Sequence, residues 1–393
     1  MTSPPFATTV SRADLEHNPH PHLHRLRAVS PVAWLPILNG WLVTRYDLAV
    51  AVMRDDSTFT VDHPGFSTAQ VVGQSMLSRD GAEHLRHRRP FDAPFHRQAV
   101  DRRFAHSTEE HAQQLLARLQ ADGKADLCRD YAAPLAVWTM IDALGLTATP
   151  IHSVLGWYAA IVDAVTRITL GEAISPEGKQ AFAALKAALL PALRAAPEAS
   201  LLAAAGAANQ GLSADEIIAN AAVLLFGGIE TTEGMIANAL SYLLTDPQLL
   251  TNVRAEPARI PAVIEETLRL EPAAAVVDRY ATSDTQLGGA TIHAGDLVRV
   301  SLSAANRDPA VFPQPDHFDP ARDNLRSHVA FAQGPHVCLG LHLARLEATT
   351  AVVVCLQQLP DLQLASGAEV RQAAQPRGLL FRKPQALTVT WRT

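Results

Sequence analysis

The sequence predicts an α+β fold made mainly of helix, and three observations carry that prediction. From about residue 107 to 270 apolar side chains recur at helical spacing, with Ala-rich stretches at 181–190 and 201–208. After Pro272 the chain turns to short β-branched runs separated by glycine turns, at Thr285–Ile292 around Gly288-Gly289 and at Leu297–Leu302. Strand signals are thus gathered together rather than alternating with helices, which marks a segregated sheet portion.

The elements follow in order. The first 30 residues hold Pro19, Pro21 and four histidines (His17, His20, His22, His24), and the prolines forbid one continuous helix there. Without cysteine or carboxylate partners at ligand spacing, these histidines do not read as a metal site. Trp34–Ile37 and Trp41–Thr44 flank Asn39-Gly40, a hairpin signal. A helical pattern begins at Asp47. Ser213-Ala-Asp-Glu216 is a capping box, so a helix starts near Ala214. A further helix ends before Pro272, another follows Gly340, and the C-terminus reads as a hairpin of Gly378–Arg382 with Ala386–Trp391. No internal repeat or linker divides the chain. Residues 1–30 are the least diagnostic, and 31–393 read as one domain.

Composition limits the function. The chain has 393 residues, 48% hydrophobic and 18% charged, enough to bury a large core. No run of about 18 apolar residues appears and the N-terminus lacks a signal-peptide pattern, so a soluble, cytoplasmic protein off the membrane is expected. A net charge of −6 argues against nucleic acid. Three scattered cysteines (Cys128, Cys338, Cys355) argue against a disulfide framework or zinc cluster. One stretch departs from the acidic average: Ser78–Arg103 carries seven arginines against four acids.

The most informative stretch is Phe331-Ala-Gln-Gly334-Pro-His336-Val-Cys338-Leu-Gly340. It sets Cys338 just before a helix N-terminus, where backbone N–H groups favour a thiolate. Alone, the cysteine reads equally as a small buried apolar residue. The decamer as a whole resembles the haem-binding loop of the cytochrome P-450 (haem-thiolate) family, soluble bacterial type, with Phe-x-x-Gly-x-His-x-Cys-x-Gly complete. The resemblance runs from about Trp34 to the C-terminus. It implies a helix-rich triangular prism, haem b with Cys338 as axial iron ligand, and O2 as co-substrate.

Other segments are similar to the family's in the same way. Gly227-Gly228-Ile-Glu230-Thr231 resembles its oxygen-binding groove. On spacing alone the glycine pair reads equally as a helix crossing. By resemblance it is a local opening in the helix, with Thr231 bonding the oxygen ligand and Glu230 feeding protons as a general acid. His84 and Arg88, four residues apart, together with Arg279 and His336, resemble the cations that hold the haem propionates, and Phe331 and Gly340 belong to the haem loop. Glu266 and Arg269 match a Glu-x-x-Arg pair whose third, basic member comes from a Pro-x-x-Phe segment. Here that segment is Pro315-Asp-His317-Phe318, so His317 is expected in the arginine's place, leaving the triad weaker or pH-sensitive.

By family position the substrate pocket is lined by Val223, Phe226 and Gly227, by Val276 and Val277, and by Leu380 and Phe381. These are nearly all apolar, so a hydrophobic small molecule is expected. The resemblance covers one catalytic domain. It implies a monomer receiving electrons in trans from an iron-sulfur ferredoxin and its reductase, with the arginine-rich 79–103 segment as docking face. A haem monooxygenase is the reading. A non-catalytic haem-thiolate sensor would need the cysteine loop but not Glu230 and Thr231, and a peroxide-driven peroxygenase would lack or replace that pair.

Overall fold

The computed structural model describes residues 5–393 except 196, 197, 199, 209 and 210. Its axis is the helix Ala214–Thr245, 32 residues long and buried along most of its length. The capping box that predicts its start is formed: Ser213 Oγ accepts from the Glu216 N–H at 3.2 Å, and the Ser213 N–H donates to Glu216 Oε2 at 2.8 Å. The helix runs unbroken through Gly227-Gly228, where the sequence suggests an opening. Packing overrides the helix penalty of the glycines. A Cβ at Gly228 would collide with the Met140 thioether, so that glycine seats the neighbouring helix Ala133–Leu144. A Cβ at Gly227 would meet nothing within 4 Å, so the room lies beside the helix rather than in a break of it.

Helices Arg97–Leu119, Ile260–Leu270 and Leu341–Gln358 gather round one half of this axis, and Ile151–Thr169 with Pro176–Leu193 cover the other. The largest sheet builds its own hydrophobic cluster apart from the helical body, while the strands Lys124–Asp126, Gln363–Leu364 and Thr388–Thr390 pack onto the helices. The largest has five strands in the order Val32–Leu35, Gly40–Val43, Leu297–Ser301, Val276–Ala281, Phe59–Thr60. Only the Gly40–Val43/Leu297–Ser301 pair is parallel. The Trp34/Trp41 hairpin is present, with Asn39 left-handed at φ 45° and the two indoles edge to face at 5.6 Å.

The C-terminal hairpin does not form. Thr388–Thr390 pairs instead with Lys124–Asp126 and Gln363–Leu364. Residues 378–382 are held by isolated bridges, Ala274 to Phe381 and, on either side of the segment, Arg377 to Lys383. The described part of the N-terminal segment packs into the fold. Helices Arg12–His17 and His20–Val29 break at Pro19, and Leu15, Leu23 and Leu26 pack against Leu35, Leu38 and Leu42. His20 Nε2 sits 2.5 Å from the buried Glu271 carboxylate, which also pairs with Arg307 and Arg382. Among the described residues no helix is long and apolar enough to cross a membrane, and no cluster of three or more metal-ligating side chains appears.

Candidate active site

The loop before helix Leu341–Gln358 is shaped by its glycines. Gly334 has φ +73°, and a Cβ there would collide with the Met53 carbonyl, so only glycine lets the loop press onto helix Tyr46–Arg54. The Val337 N–H donates to Gly334 O (3.1 Å) and the Cys338 N–H to Phe331 O (2.9 Å), fixing the turn. Gly340 caps the helix. Protein surrounds Cys338 on all sides, yet the residue is accessible because it opens onto an internal cavity. Burial pushes the thiol up, while the Gly340 N–H and the charges of Arg88 and Arg345 favour the thiolate.

That cavity, about 1290 Å³ between protein atoms with its mouths included, brings most of the predicted residues together. Phe331, His336, Cys338 and Gly340 form one wall and Arg88 another. Val223, Phe226, Gly227 and Thr231 of the long helix face it, and Val277 closes it from the sheet. Its surface is mostly apolar. Thr231 turns its hydroxyl back to donate to Gly227 O at 2.7 Å.

Three pocket residues do not line it. Val276 faces the opposite side of its strand from Val277, since side chains alternate, and lies beside Leu38 and Leu42 instead. Phe381 is one layer back, edge to face against Phe226 with centroids 5.6 Å apart. Leu380, whose carbonyl accepts from the Ala275 N–H, also stays outside.

Glu230 lines no part of the cavity either. It is buried and ion-paired to Lys383 Nζ at 3.0 Å, and Lys383 also holds Glu233 at 2.8 Å. Nothing in the family motif signals Lys383 or Glu233, which come from the C-terminal segment and the next helical turn. Glu347, nine residues past Cys338, is a buried carboxyl that does line the cavity. Its Oε2 has no partner, and burial pushes the group well above the usual carboxylate range despite a bond from Thr139.

The four predicted cations cluster at one edge of the cavity. The rings of His84 and His336 lie 4.3 Å apart, with Arg88 close enough to bias both and Arg279 close enough to bias His336. Burial, with His336 and Arg88, pushes His84 down to about 4, and its Nε2 is buried without a partner. Asp80 intrudes among the cations. Its carboxylate takes His336 Nε2 at 2.6 Å, Thr60 Oγ1 at 2.5 Å and the Val61 N–H at 2.9 Å. One His336 nitrogen is therefore already committed. An orphaned buried imidazole beside further cations, with an accessible sulfur inside an apolar cavity, fits a flat iron porphyrin with two carboxylates.

Beneath the cavity the Glu-x-x-Arg pair is formed and fully buried, with Arg269 Nε and Nη2 donating to Glu266 at 2.8 and 2.7 Å. Its third member is not His317. That side chain is exposed, and only its carbonyl takes part, accepting from Arg269 and Arg322. The cation is Arg322, Nε 2.9 Å from Glu266 Oε1, from four residues beyond Phe318. Next door, Glu265 binds Arg345 and His328.

A helical body with a cysteine thiol presented to an internal apolar cavity, its far wall a helix carrying a threonine, is the arrangement of a haem-thiolate oxidoreductase. The family model described as "Cytochrome P450" matches residues 195–388. Nocardicin C N-oxygenase of Nocardia uniformis subsp. tsuyamanensis is 34% identical, over 95% of both chains. Vitamin D(3) 25-hydroxylase of Pseudonocardia autotrophica is 33% identical, over 92% of both. Among solved structures, P450BioI in complex with a hexadec-9Z-enoic acid-ligated acyl carrier protein superposes with a TM-score of 0.84 at 29% identity, covering 96% of this chain and 100% of the other. The chain belongs to the cytochrome P450 family. It is a haem b enzyme that uses O2.

Proposed function

We propose that this enzyme inserts one oxygen atom of O2 into a hydrophobic small organic molecule, using electrons from an iron-sulfur ferredoxin and its reductase, in one catalytic domain over residues 31–393 that works as a monomer. The observation that carries the reading is that Cys338 and Thr231 open onto the same apolar cavity.

Haem b held by the Cys338 thiolate supplies O2 binding and activation. The chain's own residues do the rest. His84, Arg88 and Arg279 hold the propionates, with His336 bridging to Asp80, and Phe331 and Gly340 shape the loop. Thr231 gives up its bond to Gly227 to orient a proton over the cavity, and Glu230 supplies that proton from behind. Val223, Phe226, Gly227 and Val277 select an apolar substrate. Relatives with unlike named substrates, nocardicin C and vitamin D(3), support a common reaction class without identifying the molecule bound here. The Glu230–Thr231 pair favours this reading over a sensor or a peroxygenase.

For the electron donor, the arginine segment divides. Arg79 pairs with Asp62, and Arg86 with Glu83 and Glu216. Arg89 and Arg102 are exposed, and Arg97 is exposed with Asp101 only at 3.9 Å. Arg97 acts on His342 at the start of the cysteine helix, which supports an acidic partner docking on this side. The deciding experiment is the absorbance of the reduced, CO-bound protein. A thiolate-haem spectrum is expected and should vanish in Cys338→Ala. A colourless protein after expression with ample haem, or an unchanged spectrum in that variant, overturns the reading.

A further inference from the structure

Behind the long helix two carboxylates share one ammonium. Lys383 Nζ bridges Glu230 Oε1 and Glu233 Oε2, and the two glutamates are only 7% and 8% exposed. Three residues apart, they lie on one helical face. The backbone puts Lys383 there. Gly234 lets Ala273 press onto the helix, since a Cβ there would come within 2.9 Å of Ala273 Cβ, and the Arg382 N–H donates to the Ala273 carbonyl at 2.8 Å, which brings Lys383 alongside. Paired backbone bonds with Arg377 then fix Lys383 in register.

The placement gives the cluster a direction. Thr231 lines the central cavity, whereas Glu233 and Lys383 line a separate cleft open to the surface. Glu230 lines neither and sits between them. The direct way across is plugged by apolar rings, Phe226 on the cavity side and Phe381 on the cleft side. The polar way runs through the carboxylates.

One cation against two anions leaves a negative charge uncompensated in a buried place, and Asp126 on the adjoining strand adds another. The neighbouring Cys128 thiol is kept neutral by burial, and Glu16, His17 and Arg377 line the other sides of the cleft. Buried like charges relieve themselves by holding a proton. Burial pushes the Glu233 carboxyl up, with Lys383 opposing and Glu230 assisting. Burial also works against the Lys383 ammonium, but the two carboxylates hold it above its ordinary value.

We propose that Glu233 is the proton-holding acid of the relay: it takes a proton from water in the cleft, passes it across the gap spanned by Lys383 to Glu230, and Glu230 delivers it at the Thr231 hydroxyl. Each transfer moves one proton and no electron. Glu233 is left as a carboxylate and is re-protonated from the cleft, while Lys383 stays charged. The proposal rests on the roles given above to Glu230 and Thr231, and Glu233 acts only through them.

The test compares wild type, Glu233→Gln, Glu233→Asp, Lys383→Met and Glu347→Gln as haem-loaded proteins. Infrared spectra against pH should show a protonated-carboxyl band that survives Glu347→Gln, disappears in Glu233→Gln and strengthens in Lys383→Met. With a substrate that is turned over, Glu233→Gln should cut product per O2 consumed about tenfold, part of the 10²–10⁴ that a positioned acid supplies. It should also enlarge the solvent hydrogen isotope effect, and Glu233→Asp should restore both. If the band that survives Glu347→Gln also persists in Glu233→Gln, or the isotope effect and coupling are unchanged, the proposal is overturned. Either result leaves the CO spectrum intact, so it is distinct from failure of the haem reading.

Discussion

Replacing Arg322 by methionine should destabilise the protein while replacing His317 by alanine should not, and the reason is countable. The Glu266 carboxylate accepts four bonds, two from Arg269, one from the Asp319 N–H and one from Arg322. It is wholly buried, so no water can replace a lost donor. Arg322→Met removes the charge-assisted bond to Glu266, worth about 1.5–3 kcal/mol, and leaves Arg269 as counter-ion. It also removes three bonds to the Pro313, Gln314 and His317 carbonyls, at exposed positions where water can take the donor's place. Arg269→Met removes the principal counter-ion and belongs in the range of about 3–5 kcal/mol for a broken buried pair. His317→Ala deletes an exposed ring whose backbone carbonyl still accepts from both arginines, so its cost stays within about 0.5 kcal/mol. Urea midpoints of the haem-loaded proteins should rank Arg269→Met, Arg322→Met, His317→Ala from most to least damaging. If His317→Ala costs as much as Arg322→Met, the assignment of the third cation is wrong. With arginine in that position, the pH sensitivity expected of a histidine at this triad also disappears.

Other outcomes follow from neighbouring features. Burial opposes ionisation of Glu265, but His328 and Arg345 hold it down at about 2. A depressed carboxylate stabilises the fold above its unfolded value and loses that contribution as pH falls through the folded one. About 3 kcal/mol should therefore be lost between pH 4.5 and 2. The stability gap between wild type and Glu265→Gln should narrow over that window in acid unfolding, and a constant gap would contradict the pairing. Gly334→Ala meets both a left-handed backbone and the Met53 carbonyl, so a loss of about 2–5 kcal/mol, read as reduced haem retention on heating, is expected. Charge reversal at Arg89, Arg97 and Arg102 should slow ferredoxin-supported turnover and flatten its salt dependence. Salt-insensitive turnover in the unaltered enzyme would remove the docking face.

The sequence resolves this site unevenly, and physics explains where. The cysteine loop, the capping box at Ser213 and the Glu266/Arg269 pair are local, set by spacing within one element, and all three are formed as read. Partners from distant chain are invisible to such spacing. Lys383 reaches Glu230 and Glu233 from 150 or more residues away, Asp80 crosses to His336, and Arg322 takes the place expected of His317 by coming from beyond the motif. Val276 shows another limit, since strand alternation puts only one of two adjacent valines into the cavity and register decides which. The C-terminal hairpin fails because alternation alone names no pairing partner, and Lys124–Asp126 competes successfully for Thr388–Thr390.

The buried Glu271 carboxylate ties His20, from the first helical segments, to Arg382, from the last turn before the C-terminal strand. Both extremities of the chain are thus knotted to one anion just beyond the helix that carries the Glu266/Arg269 pair. Trimming the opening twenty-odd residues to improve expression would leave that buried anion one hydrogen-bond partner short. The same cut would remove the Glu16 carbonyl that accepts from Arg382 and from the Gly378 N–H, so a shortened protein would lose stability and, with it, the anchoring of the segment that carries Lys383.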